Sequence, residues 1–171
     1  MGLEHYRLDD TAYAEQFNTL IILDDILSKS KVTDVVEPSF IIVGGTAILF
    51  HGIDAVVTID IDCANKIPDK IKDLCGELIT DMASSVICFP KNYEERLVRF
   101  EESKIDNMKV YLPSIEDLVI TKLHAGRMKD MQDIKKYKLL EKCNYDLLVN
   151  IIETEMSELT DTIMDRLKSV S

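Results

Sequence analysis

The sequence is sparing with the residues that mark special architectures. Four cysteines in 171 residues (Cys63, Cys75, Cys88 and Cys143) show no C-x-x-C spacing, and Cys63 and Cys88 lie in apolar runs. That usage predicts reduced, buried thiols in a cytoplasmic setting rather than a disulfide scaffold or a cysteine-held zinc. Only three histidines are present, which weighs against a His-rich transition-metal site. Six glycines and four prolines exclude collagen. No apolar run approaches the ~20 residues of a membrane span, so no membrane partner is expected. The opening MGLEHYRLDD has no basic region leading into an apolar stretch, so no secretory signal is expected either.

What remains is a chain with 46% hydrophobic and 30% charged residues, long enough for one well-buried core. We expect a single domain over residues 1–171. The net charge is -11, and an acidic surface repels a phosphate backbone. The charge is uneven, however. Between Lys122 and Lys142 stand seven basic residues against three acids, about +4, which leaves the rest of the chain at about -15. Such a face holds phosphates, or is simply a solvated helix surface.

Periodicity divides the chain into elements. Residues 10–29 predict a helix, with Tyr13, Phe17, Leu20, Leu23 and Leu27 at spacings of three and four. Ser39–Val43 predicts a buried strand stopped by Gly44 and Gly45, then one or two helical turns from Thr46 to His51. A second strand is expected over Ala55–Asp62. A helix is expected from Pro68 to about residue 83, with Ile71, Leu74, Leu78 and Met82 as its apolar stripe. Short strands are expected at Val86–Phe89, Leu97–Glu101 and Met108–Leu112. Ser114 and Asp117 form a capping pattern for a helix that Gly126 ends, and another helix is predicted from Lys129 to Glu141. From Tyr145 to Val170 one helical stripe runs to the end, as core or as an interface for an oligomer. The fold class is α/β (α+β): a small mixed β-sheet over about residues 36–112, flanked by helices, with a helical C-terminal part over 113–171.

The second strand carries the chemistry. Alternation places Thr58, Asp60 and Asp62 on one side and Val57, Ile59 and Ile61 on the other. Two neighbouring carboxylates repel unless a cation lies between them, and hard oxygen donors suit Mg²⁺ or Mn²⁺. A solvated strand face explains an isolated D-x-D equally well. Gly44 and Gly45 add a turn that lets backbone approach an anion. A phosphate-holding turn on one strand and an acid pair on the next is what nucleotidyl transfer needs.

Gly44-Gly45-Thr46-Ala47, His51-Gly52 and Thr58-Ile59-Asp60-Ile61-Asp62 resemble the opening signature of the polymerase-β-like nucleotidyltransferase superfamily. Tyr93-Glu94-Glu95-Arg96-Leu97, Ile115-Glu116-Asp117-Leu118 and the run from Lys122 to Ile134 resemble a poorly characterised branch of that superfamily, one similar to the toxin components of abortive-infection and related toxin–antitoxin systems. The resemblance spans about residues 40–135. It implies Gly44, Gly45 and Thr46 at the nucleotide phosphates and Asp60 and Asp62 as catalytic metal ligands. It further implies Lys122 at the triphosphate or acceptor, and Asp130 as an acid/base or an organiser of Lys122 and Arg127, with Asp133 fixing a cation. An ion-pair cluster at a helix break is the structural alternative for those last residues. Two positions depart from the pattern. Val56 stands where members carry arginine, and the usual third carboxylate has no clear counterpart, Glu94, Glu95 and Glu101 being candidates.

The function expected is a metal-dependent nucleotidyltransferase moving NMP from an NTP to an acceptor hydroxyl on RNA (such as tRNA) or protein. A toxin-like or defence role with an antitoxin partner is implied by the resemblance alone. The alternatives are a small-molecule, antibiotic-type nucleotidyltransferase, or a non-catalytic binding module that docks a partner through its C-terminal helix.

Overall fold

The computed structural model describes residues 11–30, 38–55 and 60–171. These divide into two compact units. The first runs to Ser85 and takes up the chain again at Arg99–Leu112; the second comprises Val86–Val98 and Pro113–Ser171.

The first unit opens with α1 (Thr11–Ser30), whose Leu20, Leu23 and Leu27 are buried as the periodicity predicts. β1 (Ser39–Ile41) follows, then the seven-residue α2 (Gly44–Phe50), which starts at the two glycines themselves. β2 is described over Ile61–Asp62; Val56, Val57, Thr58 and Ile59 lie outside the described residues. α3 (Asp69–Cys75) is shorter than its apolar spacing suggests. Gly76, at φ +56°, ends it, and after one 3-10 turn (Gly76–Leu78) the chain forms β3 (Ile79–Thr80). The expected helix to residue 83 is therefore corrected. Ile79 is buried in a parallel pair with β2, while Leu74 and Met82 of the supposed stripe are exposed.

β4 (Val98–Phe100) and β5 (Lys109–Leu112) confirm two of the short strands. Val86–Phe89 is not a strand, and Val86 is exposed. The sheet order is β1-β5-β4, with β1 parallel to β5 and Phe40 opposite Val110. An antiparallel bridge between Ile42 and Cys63 joins this sheet to the β2-β3 pair, so the assembly is mixed. The core of this unit lies under α1, which packs on α2 and α3. Phe50 and Phe100 stack at 4.7 Å, and Phe17 meets Phe100 edge-on. The buried Phe50 and Phe100 side chains each contribute roughly 1.5–3 kcal/mol. Asp24 fixes α1 by accepting from the Asn107 backbone N–H (2.7 Å) and side-chain amide (2.8 Å).

The second unit is built around α4 (Ile115–Ala125), against which four helices pack: α5 (Met128–Lys136), α6 (Leu139–Lys142), α7 (Tyr145–Glu155) and α8 (Thr160–Val170). Ser114 caps α4 as expected, its Oγ accepting from the Asp117 N–H at 3.1 Å. Two expectations are corrected here. The helix predicted from Lys129 to Glu141 is two helices, broken where Lys138 adopts φ +51°. The stripe from Tyr145 to Val170 is a helical hairpin, turned after Met156. A continuous helix there would extend ~39 Å, whereas α4 offers only ~16 Å, at ~1.5 Å per residue. Folding back lets Leu148 and Ile152 of one arm and Ile163 and Leu167 of the other bury in the same core. Among the described residues no helix is long and apolar enough to cross a membrane.

Candidate functional site

The diglycine turn and the acid strand meet directly. The Val43 N–H donates to the Asp62 carbonyl at 2.9 Å, and the Ala64 N–H donates to the Ile41 carbonyl at 2.8 Å. These bonds seat the end of β1 against β2. Gly44 then takes φ +67°, a conformation that costs an L side chain roughly 1–2 kcal/mol. An ideal Cβ there would lie 3.6 Å from the Asp62 Oδ2. The open side of the turn is thus the side to which the Asp62 carboxylate points. Alternation holds along β2: Ile61 is fully buried, while Asp60 and Asp62 on either side are half-buried.

Thr46 is placed differently from its glycine neighbours. It is buried, and its hydroxyl donates to the Gln16 Oε1 at 3.0 Å, tying α2 to α1. Beside Asp60 lies an open depression of about 760 Å³ whose other lining comes from Gly76 to Thr80. The periodicity gave no sign of this wall, because it forms only where β3 pairs with β2 and sets Thr80 opposite Asp62. Glycine at position 76 was the available signal. The nearby Asp81 carboxylate is engaged elsewhere. It accepts from Lys72 (2.8 Å) and from the Ile67 N–H (2.9 Å), and these bonds hold its pKa below the usual aspartate value.

Lys122, Arg127 and Asp130 come together in the second unit, with Asp133. The left-handed Gly126 (φ +62°) ends α4 and lets α5 begin against it. A Cβ at Gly126 would overlap the Arg166 guanidinium, whose Nη1 donates to the Leu123 (2.7 Å) and His124 (2.6 Å) carbonyls at the end of α4. Across this break the Lys122 ammonium lies 2.8 Å from Asp133 and 3.6 Å from Asp130. Asp130 also accepts from the Arg127 Nε at 2.6 Å. That bond raises the Arg127 pKa, so the guanidinium stays charged. Lys122 is nearly enclosed (12% exposed side chain), whereas Arg127 is 75% exposed.

A second ionic centre in this unit joins two of the quoted segments. Arg96, on the one-turn helix Tyr93–Arg96, donates through Nε (3.0 Å) and Nη2 (2.8 Å) to Asp117. Its Nη1 (2.7 Å) and Nη2 (3.0 Å) reach Glu155. Sequence spacing cannot reveal this triad, since its members come from three separated segments.

Asp60, Asp62 and the glycines thus occupy the first unit, and Lys122, Arg127 and Asp130 the second. Among the described residues no group of three or more His, Cys, Asp or Glu side chains is arranged to hold a metal. The model of the family described as a nucleotidyltransferase of unknown function (DUF6036) matches residues 18–169. The chain belongs to this nucleotidyltransferase family. Neither the curated proteins nor the solved structures yield a match. Membership in the family covers both units, so the acid pair and the Lys122–Arg127 cluster lie within the matched region alike.

Proposed function

We propose that this nucleotidyltransferase-family protein is a metal-dependent enzyme that moves a nucleoside monophosphate from an NTP to an acceptor hydroxyl on RNA or protein. The observation that carries the reading is the Asp62 carboxylate facing the open side of Gly44. A divalent cation fits the donors present. Mg²⁺ commonly takes one or two carboxylates, completing its shell with water and substrate phosphates, so Asp60 and Asp62 suffice as the protein's share. When bound, such an ion would stabilise charge developing on the departing pyrophosphate.

The chain's own residues supply the rest. Gly44 and Gly45 allow triphosphate oxygens to approach the backbone without a side chain in the way. In the second unit Arg127 is an exposed, permanent cation that Asp130 orients, and Asp130 and Asp133 hold Lys122 in place. Asp130 is thus a positioning residue for the two cations of that unit. In the transfer the acceptor hydroxyl releases its proton to solvent, its oxygen bonds to the α-phosphorus, the bond to the bridging oxygen breaks, and pyrophosphate leaves with that electron pair. A toxin-like setting with an antitoxin partner accompanies this reading on the strength of the sequence resemblance.

Thermal unfolding with Mg²⁺ and each of ATP, GTP, CTP and UTP tests the proposal. A ligand at 100 times its Kd stabilises by about 2.7 kcal/mol. For a chain of this size that is a rise of roughly 5–11 °C. The rise should appear with at least one metal–NTP pair and vanish in the Asp60→Ala, Asp62→Ala variant. No rise with any pair, or the same rise in the variant, overturns the reading in favour of a non-catalytic module.

A further inference from the structure

The face that carries the acid pair extends past β2 onto β3. In the parallel register Asp62 stands opposite Thr80, so the two side chains share one face. The depression of about 760 Å³ continues from Asp60 along Gly76, Glu77, Leu78, Ile79 and Thr80, a size within the ~300–1,000 Å³ of ligand clefts. None of these lining residues is cationic or aromatic. Glu77 is exposed, and among the described residues no ion pair or hydrogen bond engages its carboxylate. Lys72 of α3 is held by Asp81 at 2.8 Å. The first unit as a whole has eighteen acidic against nine basic residues, which places -9 of the chain's -11 there. The wall of the depression is also a strand edge. The Thr80 carbonyl accepts from the Cys63 N–H at 2.8 Å, and successive carbonyls of a strand point to opposite edges, so the Ile79 carbonyl points away from β2. No other described strand pairs on that side. The Thr80 hydroxyl accepts from the Met82 N–H at 3.2 Å and keeps a proton to donate.

We propose that this depression is the acceptor seat of the transfer site, and that it takes an extended, basic polypeptide segment carrying the acceptor hydroxyl. The proposal rests on the transfer reading above and narrows its acceptor to protein. A lysine or arginine of the segment pairs with Glu77. A main-chain N–H donates to the Ile79 carbonyl, as when an extended peptide joins a strand edge. The Thr80 hydroxyl donates to a segment carbonyl, and Leu78 gives apolar contact. The acceptor serine, threonine or tyrosine then stands beside Asp60. Its oxygen bonds to the α-phosphorus as the bond to the bridging oxygen breaks, the proton passing to solvent and the electron pair to pyrophosphate. Two features decide against RNA. Its phosphates would face Glu77 and a unit of charge -9. Its bases would find no aromatic face among the lining residues on which to stack. A small cation would satisfy Glu77 and leave the strand edge unused.

The test uses the full chain and a short fluorescein-labelled peptide of alternating valine and serine with two lysines. The comparators are the peptide with glutamate for lysine, the peptide with alternate amides N-methylated, an oligouridylate of equal length, and spermine as an unlabelled competitor. Anisotropy should show saturable binding of the basic peptide, about tenfold tighter than either altered peptide or the oligouridylate, weakening as salt is raised. Spermine should displace it poorly. Glu77→Lys should weaken binding about tenfold and Glu77→Asp should keep most of it, while the Mg²⁺–NTP rise in melting temperature persists in both. Amide resonance shifts should map to Gly76, Leu78 and Thr80. A metal–NTP rise without saturable peptide binding overturns the acceptor seat and leaves the transfer reading standing. Peptide binding without that rise overturns the transfer reading, and the seat's role as acceptor site with it. Unchanged affinity in Glu77→Lys, equal binding of the N-methylated peptide, tighter binding of the oligouridylate, or ready displacement by spermine each overturns the proposal.

Discussion

Replacing Arg96 by methionine should be the most damaging single polar change in the helical unit. The guanidinium is 19% exposed and serves two carboxylates, Asp117 with no exposed side-chain surface and Glu155 with 11%. Methionine keeps much of the aliphatic bulk and removes every donor. Asp117 would retain only the Ser114 hydroxyl, at 2.8 Å, as a side-chain partner. Breaking a buried pair from one side costs about 3–5 kcal/mol, because the remaining charge stays out of water. At ~2–4 °C per kcal/mol for a chain of this size, the melting temperature should fall by roughly 6–20 °C. Circular dichroism at the helix band during heating or urea titration measures this. Adding Asp117→Asn and Glu155→Gln to Arg96→Met should recover about half of the loss, since the uncompensated charges disappear. The reasoning fails if Arg96→Met unfolds within about 0.5 kcal/mol of the parent, the range of an ordinary surface change. It fails equally if neutralising the two acids restores nothing.

The same triad predicts a pH dependence. Arg96 holds the Glu155 pKa below its usual 4.5, so the stabilisation is complete above that value and is lost as pH falls through the depressed one. Urea titrations between neutral and acid pH should show a steeper acid limb in the parent than in Glu155→Gln. Gly126→Ala should destabilise by about 1–3 kcal/mol in chemical denaturation, combining a left-handed backbone with displacement of Arg166. Gly44→Ala should cost only about 1–2 kcal/mol, since its Cβ meets Asp62 at ordinary contact distance and the backbone alone is strained. Burial raises the Cys63 pKa and pushes that of Cys143 up to about 12, so both thiols should react with a disulfide reagent at neutral pH only after denaturant is added.

Local signals were legible wherever a few neighbouring residues settle the outcome. Ser114 and Asp117 announce the start of α4, Gly126 its end, and Gly44 with Gly45 the turn that closes β1. In each case a hydrogen bond or a permitted φ lies within four residues, so reading along the chain is enough. The alternation that buries Ile61 between two half-buried aspartates is of the same kind. Spacings of three and four proved less decisive. They describe what a stretch can bury, and Leu74, Leu78 and Met82 fit a helix that Gly76 interrupts.

Tertiary structure decided the rest. Ile79 and Thr80 are a strand because they pair in parallel with β2, and that pairing built the wall next to Asp60. The stripe from Tyr145 to Val170 folded into a hairpin because α4 is too short to cover it in one length. Arg96 found Asp117 and Glu155 across 21 and 59 residues of chain, a meeting driven by the cost of burying any of them alone. By itself the sequence determined where the backbone can turn and which residues seek burial, since both depend on short-range sterics and hydration. Which buried faces meet, and which charges they enclose, was decided only by the packed chain, because those energies belong to pairs of distant residues.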